Sequence, residues 1–229
     1  MTRCLIWYYE RPSWFVKMMA SLHNMPLPPR APEKKLNPEV ERLVYQLKVI
    51  RQEAEGLLVD MGTEQLTWRQ SPERWTVAEC FAHLNIINRR MAEEIEKSVT
   101  RGRQANMVSD GQFTYGFLSR MFLRLTEPPV KRRFKAPAAF VPGANQPWAQ
   151  IEAEWKSTHD KIDALLQRAN GLDLARVKTQ SPASRWIAYP LGIAFWIHAA
   201  HDRRHLWQVR QVINDVRFPR KAAVEKQPA

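Results

Sequence analysis

Three of the six histidines fall within eight residues, in the stretch HAAHDRRHLWQVR that runs from His198 to Arg210. Imidazoles this dense can hold a metal, relay protons or merely share a basic helix, and their spacing separates these uses. A helix advances about 100° per residue, so His198, His201 and His205 lie within about 60° of one another. The same side carries Leu191, Ala194, Phe195 and Val212. Along the axis His198 and His205 are roughly 10 Å apart, too far to share one ion at bond lengths of about 2 Å. His201 and His205, at i and i+4, stack on successive turns and let both rings converge. They are the better ligand pair, and a third ligand must come from another helix.

The natural candidate is His83, in RQSPERWTVAECFAHLNIINRRMAEEIEK. Thr76 followed three residues later by Glu79 is a capping box, which predicts a helix starting at Thr76. Its apolar stripe runs through Val77, Cys80, Phe81, Leu84, Ile87, Met91 and Ile95, and His83 falls on that stripe. Three neutral imidazoles that leave coordination positions open resemble a catalytic rather than a closed structural site. Periodicity alone leaves a blander reading standing: a hydrogen-bonded core histidine at 83 and a chance cluster in a basic helix. Around the triad, His198 is expected either to support a ligand through a hydrogen bond or to pack in the core. Trp75 and Trp207 are candidates for the pocket wall. Asp202, turned about 100° from His201, is expected in a surface ion pair with Arg203 or another basic residue. Glu79 is accounted for by its cap, Cys80 by packing, and His159 by packing or hydrogen bonding beside Trp155.

Four helices are expected to carry these residues. Asn37 caps the first, with Pro38 at its first position and Val40, Leu43, Val44 and Leu47 at helical spacing to about Val59. The second begins at Thr76. Residues 99–144 read as a long basic crossover with one short helix near Phe113 to Leu125. The third runs from Pro147 to a terminator at Gly171, through Trp148, Ile151, Trp155, Ile162 and Leu166. Residues 172–190, with prolines at 182 and 190, read as irregular, and a fourth helical stripe follows from Leu191 to about Asn214. The pattern predicts an all-α chain in which two pairs of helices, joined by a long crossover, form a four-helix bundle able to host a site between facing helices. No glycine-rich phosphate loop, G-x-S-x-G elbow or H-E-x-x-H occurs.

Composition sets the outer limits. At 229 residues, 45% hydrophobic and with only 8 glycines, the chain suits one helix-rich domain with extensions, and nine tryptophans supply a large apolar area. We expect an N-terminal extension and Pro-rich linker over 1–36, a folded domain over 37–216 and a basic tail over 217–229. The charge of +12 directs attention to anionic partners. Its runs, RAPEKK, VKRRFK and RFPRK, read as solvated loops and tails, without the aromatic interleaving of a nucleic-acid surface. Nucleic acid is therefore not the expected partner. Cys4 and Cys80 occupy unlike contexts, so no disulfide framework is expected and a reducing cytoplasm is favoured. Glu10, Arg11 and Lys17 interrupt the apolar N-terminus, which makes neither a signal nor an anchor, and no membrane association is expected. Met25, just before PLPPRAP, is a candidate for the native start.

WTVAECFAHLN paired with HAAHDRRHLWQV some 120 residues later resembles the DinB-like superfamily, which includes YfiT-type and thiol-transferase-type bundles. The likeness lies in a Trp, a cap and His-Leu on the second helix, then H-x-x-x-H on the last, and it covers about Asn37 to Asn214. It implies an up-down-down-up four-helix bundle that binds a divalent ion, zinc or nickel, through His83, His201 and His205. Related proteins include thiol-dependent S-transferases and a maleylpyruvate isomerase. The resemblance thus implies a small-molecule substrate, a low-molecular-weight thiol as co-substrate, and thiol transfer, hydrolysis or isomerisation as the chemistry. A homodimer is a further expectation. The rivals are a non-catalytic metal-binding protein of stress responses and a basic nucleic-acid-associated bundle.

Overall fold

The computed structural model describes residues 35–130, 135–143 and 146–220. Cys4, Met25, most of the expected N-terminal extension, the centre of the VKRRFK run and the last nine residues lie outside these. The described residues form six α-helices, one 3₁₀ turn and a two-stranded sheet.

Helix α1, Pro38–Leu58, starts where Asn37 accepts a hydrogen bond from the Glu39 N–H at 2.9 Å, with Pro38 in the first turn where a missing N–H costs nothing. The same cap residue reaches outward: its amide donates to the carbonyls of Asp110 and Gly111, and its own N–H donates to Asn170 Oδ1. One residue thereby ties the first helix to the crossover through its side chain and to the end of the third long helix through its main chain. A five-residue helix, α2, Thr63–Thr67, follows; its brevity leaves no periodic signal to read.

Helix α3, Val77–Gln104, opens on the reciprocal capping box: Thr76 Oγ1 accepts from the Glu79 N–H at 3.1 Å, and the Glu79 carboxylate accepts from the Thr76 N–H at 2.9 Å. It runs five residues further than the expected crossover boundary at 99. The crossover therefore spans 105–147 and contains α4, Phe117–Thr126, and the 3₁₀ turn Ala138–Phe140. Helix α5, Trp148–Ala169, ends before Gly171, whose φ of 85° takes the left-handed conformation that a chain reversal needs and a β-carbon disfavours.

Residues 178–190 correct the expectation of irregular chain. Strands β1, Lys178–Ser181, and β2, Ser184–Pro190, pair antiparallel, with Thr179 opposite Tyr189. Pro182 sits in the connecting turn and Pro190 at the strand's last position, so neither removes a needed ladder bond. The signal was missing because Trp186 and Ile187, adjacent in sequence, are both exposed, and no alternation of apolar and polar residues marks the strand.

Helix α6, Leu191–Ile213, departs most from a simple stripe. Leu191 to Phe195 and Ile197 to Ala200 are buried without interruption, because α1, α3, α4 and the hairpin all pack against it. A helix enclosed on several sides buries polar residues that a one-face reading assigns to solvent. The remaining long contacts join α3 to α5 and α1 to α5, around a core that includes Phe81, Trp155, Ile162 and Phe195. No helix among the described residues is long and apolar enough to cross a membrane.

Candidate metal centre

His83 lies two turns into α3, and its position there follows from the cap at Thr76. Its Nδ1 is 2.7 Å from the Phe140 carbonyl oxygen, so the ring donates Nδ1–H to that acceptor and leaves Nε2 bare. From α6, the Nε2 atoms of His201 and His205 stand 3.2 Å apart. Two ring nitrogens at that separation share either one proton or one cation. The ring centroids of His83 lie 5.4 Å from His201 and 4.6 Å from His205, and one ligating atom from each of the three residues falls within 4.8 Å of the others.

Electrostatics keep these rings neutral at neutral pH. Burial pushes His83 below its ordinary value despite the hydrogen bond to Phe140. Burial first, then the neighbouring His83, pushes His201 down to about 3. His205 is pushed well down by burial and by His201. A neutral imidazole with a free lone pair is the form that binds metal, and three of them within reach of one point fit a borderline divalent ion. Among the described residues the Nδ1 atom of His201 is buried without a hydrogen-bond partner, so the second nitrogen of that ring lacks the support that Phe140 gives His83.

Trp75, immediately before the cap, packs on the triad: its ring is 4.6 Å from that of His83 and stacks 5.9 Å from that of His205. Trp207 is half-buried on α6, and no ring contact places it against the three histidines among the described residues. Glu79 is occupied by the cap and by Arg69 at 2.6 Å. Cys80 is a buried free thiol, pushed up to about 12 by burial, and stays protonated. A shallow cavity of about 210 Å³ opens among Leu58, Val59, Phe81 and Trp155, and none of the histidines lines it.

Asp202 requires correction. It is not in a surface pair with Arg203, whose guanidinium instead grips Glu127 and Gln46. Its carboxylate is fully buried, accepts from Asn88 Nδ2 at 3.1 Å and lies 2.7 Å from His159 Nε2. Burial alone raises a carboxyl's pKa, but His198, His159 and Asn88 outweigh it and hold Asp202 well below the usual carboxylate range. His198, also fully buried, belongs with Asp202 one turn away and not with the triad. Its pKa is pushed down to about 4, chiefly by burial. The His159 ring packs tilted against Trp155 with centroids 4.2 Å apart, in keeping with their shared stripe, and also reaches across to α6. The signals for this second cluster were present: His198 and Asp202 have i, i+4 spacing, and Asn88 falls on the α3 stripe with Leu84, Met91 and Ile95. Nothing in the sequence points to the Phe140 carbonyl, because a backbone acceptor has no residue type.

Comparison with known families is consistent with this geometry. A family model described as the DinB superfamily matches residues 46–209, a span that holds all three triad histidines and the whole second cluster. No curated protein and no solved structure matches the chain.

Proposed function

This chain belongs to the DinB superfamily, and from that premise we propose that it is a divalent-metal-dependent enzyme acting on a small electrophile. His83, His201 and His205 would hold the ion, zinc or nickel, with positions left open for a ligand. In this reading α1, α3, α5 and α6 form the up-down-down-up four-helix bundle of the family. A low-molecular-weight thiol is the proposed co-substrate, with S-transfer as the leading reaction and hydrolysis or isomerisation as its neighbours. The observation that carries the proposal is the convergence of three neutral imidazoles, His83 and His205 buried and His201 half-buried, from two distant helices.

When bound there, a divalent ion supplies Lewis acidity, lowering the pKa of a thiol or water and polarising a carbonyl or epoxide. The chain's own contribution is positional. The Phe140 carbonyl fixes which His83 nitrogen faces the site, helical spacing brings His201 and His205 together, and the Trp75 ring covers one side against water. Low proton affinity keeps the three rings available as ligands at pH 7.

Metal analysis of untagged protein, joined to a screen of small thiols against electrophile panels, tests the reading. We expect at least one equivalent of zinc or nickel that His83→Ala removes, and thiol consumption that His201→Ala lowers by about 10²-fold or more. Metal unaffected by His83→Ala, or turnover that survives His201→Ala, overturns it. A second reading, metal binding without turnover, draws on the depth of the rings: His83 and His205 are each only 4% exposed. Tight metal with no thiol consumption across the panels would favour it.

A further inference from the structure

Behind the triad, α3, α5 and α6 bring a second set of donor atoms together. The Asp202 carboxylate has no exposed surface; Oδ1 accepts from Asn88 Nδ2 at 3.1 Å, and Oδ2 lies 2.7 Å from His159 Nε2 and 3.6 Å from His198 Nε2. Asn88 presents its NH₂ to Asp202, so its oxygen is the atom that faces His198 Nδ1, at 3.1 Å. A carbonyl oxygen only accepts, so His198 donates Nδ1–H there, and the neutral ring is left with a bare lone pair at Nε2. That lone pair and a carboxylate oxygen then confront each other in a region closed to solvent. Two electron-rich atoms held this way repel unless positive charge lies between them.

The third atom sharpens the point. His159 Nε2 already pairs with the same oxygen at 2.7 Å, whereas the buried His198 Nε2, at 3.6 Å from it, has no hydrogen-bond partner among the described residues. A buried ring nitrogen left without a partner is rare, and here it sits beside a carboxylate–imidazole pair in a region closed to solvent. One ligating atom from each of the three residues falls within 4.8 Å of the others. Donor atoms bound to one ion at about 2.0–2.2 Å stand roughly 3–3.5 Å apart, and the 2.7 and 3.6 Å separations bracket that range. Two imidazoles and a carboxylate are a donor set that borderline first-row divalent ions accept, and the aspartate offsets half of the dication's charge.

We infer that His159, His198 and Asp202 form a second site for a first-row divalent cation, separate from the triad and independent of whether the triad is catalytic. Its enclosure makes it a structural clamp: it joins α3, through Asn88, and α5 to α6 at Asp202, the residue that follows His201 in the chain. The occupied site holds α6, and with it the ligand pair His201 and His205, against the two helices that face it.

The test counts metal ions. Untagged full-length protein, stripped by chelation, is titrated with Co²⁺ and Zn²⁺ both in the folded state and during refolding, so that an enclosed site has a route to loading. Visible absorption follows Co²⁺, and elemental analysis after gel filtration gives ions per chain. We expect two equivalents in the parent chain, one in His83→Ala and one in His159→Gln, with circular dichroism showing both variants folded. Should His159→Gln fail to fold, the equivalent retained by His83→Ala decides the matter. One equivalent that survives His83→Ala but not His159→Gln upholds this site while removing the triad's. The inference is overturned by a parent chain that binds no ion, by one that binds a single ion lost in His83→Ala, or by ¹⁵N resonances showing His198 doubly protonated at pH 7 under saturating Zn²⁺. That last result would mean that a proton supplies the positive charge.

Discussion

The imidazole of His83 is fixed by a single hydrogen bond to a carbonyl that lies 57 residues away in sequence. That bond chooses the tautomer, and the tautomer decides which nitrogen faces His201 and His205. Asn88 does the same for His198, choosing Nδ1 as the donor and leaving Nε2 to Asp202. In both cases the ligating capacity of a ring is set by the partner of its other nitrogen. We therefore expect long-range ¹H–¹⁵N spectra of the chelator-treated protein at pH 7 to show His83 as the Nδ1–H tautomer, with a titration midpoint below 6.5 because burial opposes its charged form. An Nε2–H tautomer, or a midpoint above 6.5, would remove His83 from the ligand set.

At the level of elements, the start of α6 is fitted against the crossover and α1 by a close approach. A β-carbon on Gly192 would lie 1.9 Å from Tyr115 Oη and 3.2 Å from Glu39 Oε1. Tyr115 donates to that same oxygen at 2.5 Å and Trp196 Nε1 donates to it at 2.9 Å, so a half-buried triad of polar groups closes over the glycine. Gly192→Ala must displace the tyrosine and break its bond to Glu39. We expect a loss of about 1–3 kcal/mol in urea unfolding, the usual range for overpacking, although alanine is the better helix former. An unchanged midpoint would mean that Tyr115 moves aside freely and does not hold the crossover to α6.

Across the whole molecule, enclosing four neutral imidazoles, three of them in buried residues, makes stability depend on pH. His83, His198, His201 and His205 all have proton affinities below the ordinary value of a free histidine. Between pH 6.5 and about 4 the unfolded chain binds protons at these positions that the folded chain refuses, so stability falls as pH falls through that window. His198 alone contributes on the order of 3 kcal/mol over this range. Asp202 acts in the same sense at lower pH, since its carboxylate is favoured by the fold and its protonation is not. Urea unfolding of chelator-stripped protein should show a midpoint that drops steadily from pH 7 to pH 5; a constant midpoint would contradict the neutral burial of these rings. Bound metal should raise the unfolding free energy at pH 7 by about 2.7 kcal/mol at a hundredfold excess over its dissociation constant, moving the midpoint up with it, and the gain should vanish on acidification.

How much of this was legible depends on how local each feature is. The starts of α1 and α3 could be read because a cap is a matter of residues at most three apart, as at Asn37 with Pro38 and Thr76 with Glu79. The pairing of His201 with His205 was equally legible, since helical pitch alone sets it. The hairpin at 178–190 was not, because its strands are short and largely exposed and carry no alternation. Asp202 was misread for a different reason: periodicity reports the apolar face of a helix, but α6 is packed on several sides, so a carboxylate turned away from that face still meets protein. The sequence by itself determined which side chains sit one turn apart. Only the tertiary structure decided that His198 and Asp202 look toward His159 and Asn88 while His201 and His205 look toward His83, because contacts between distant helices are made by packing, and packing leaves no periodic trace in the chain.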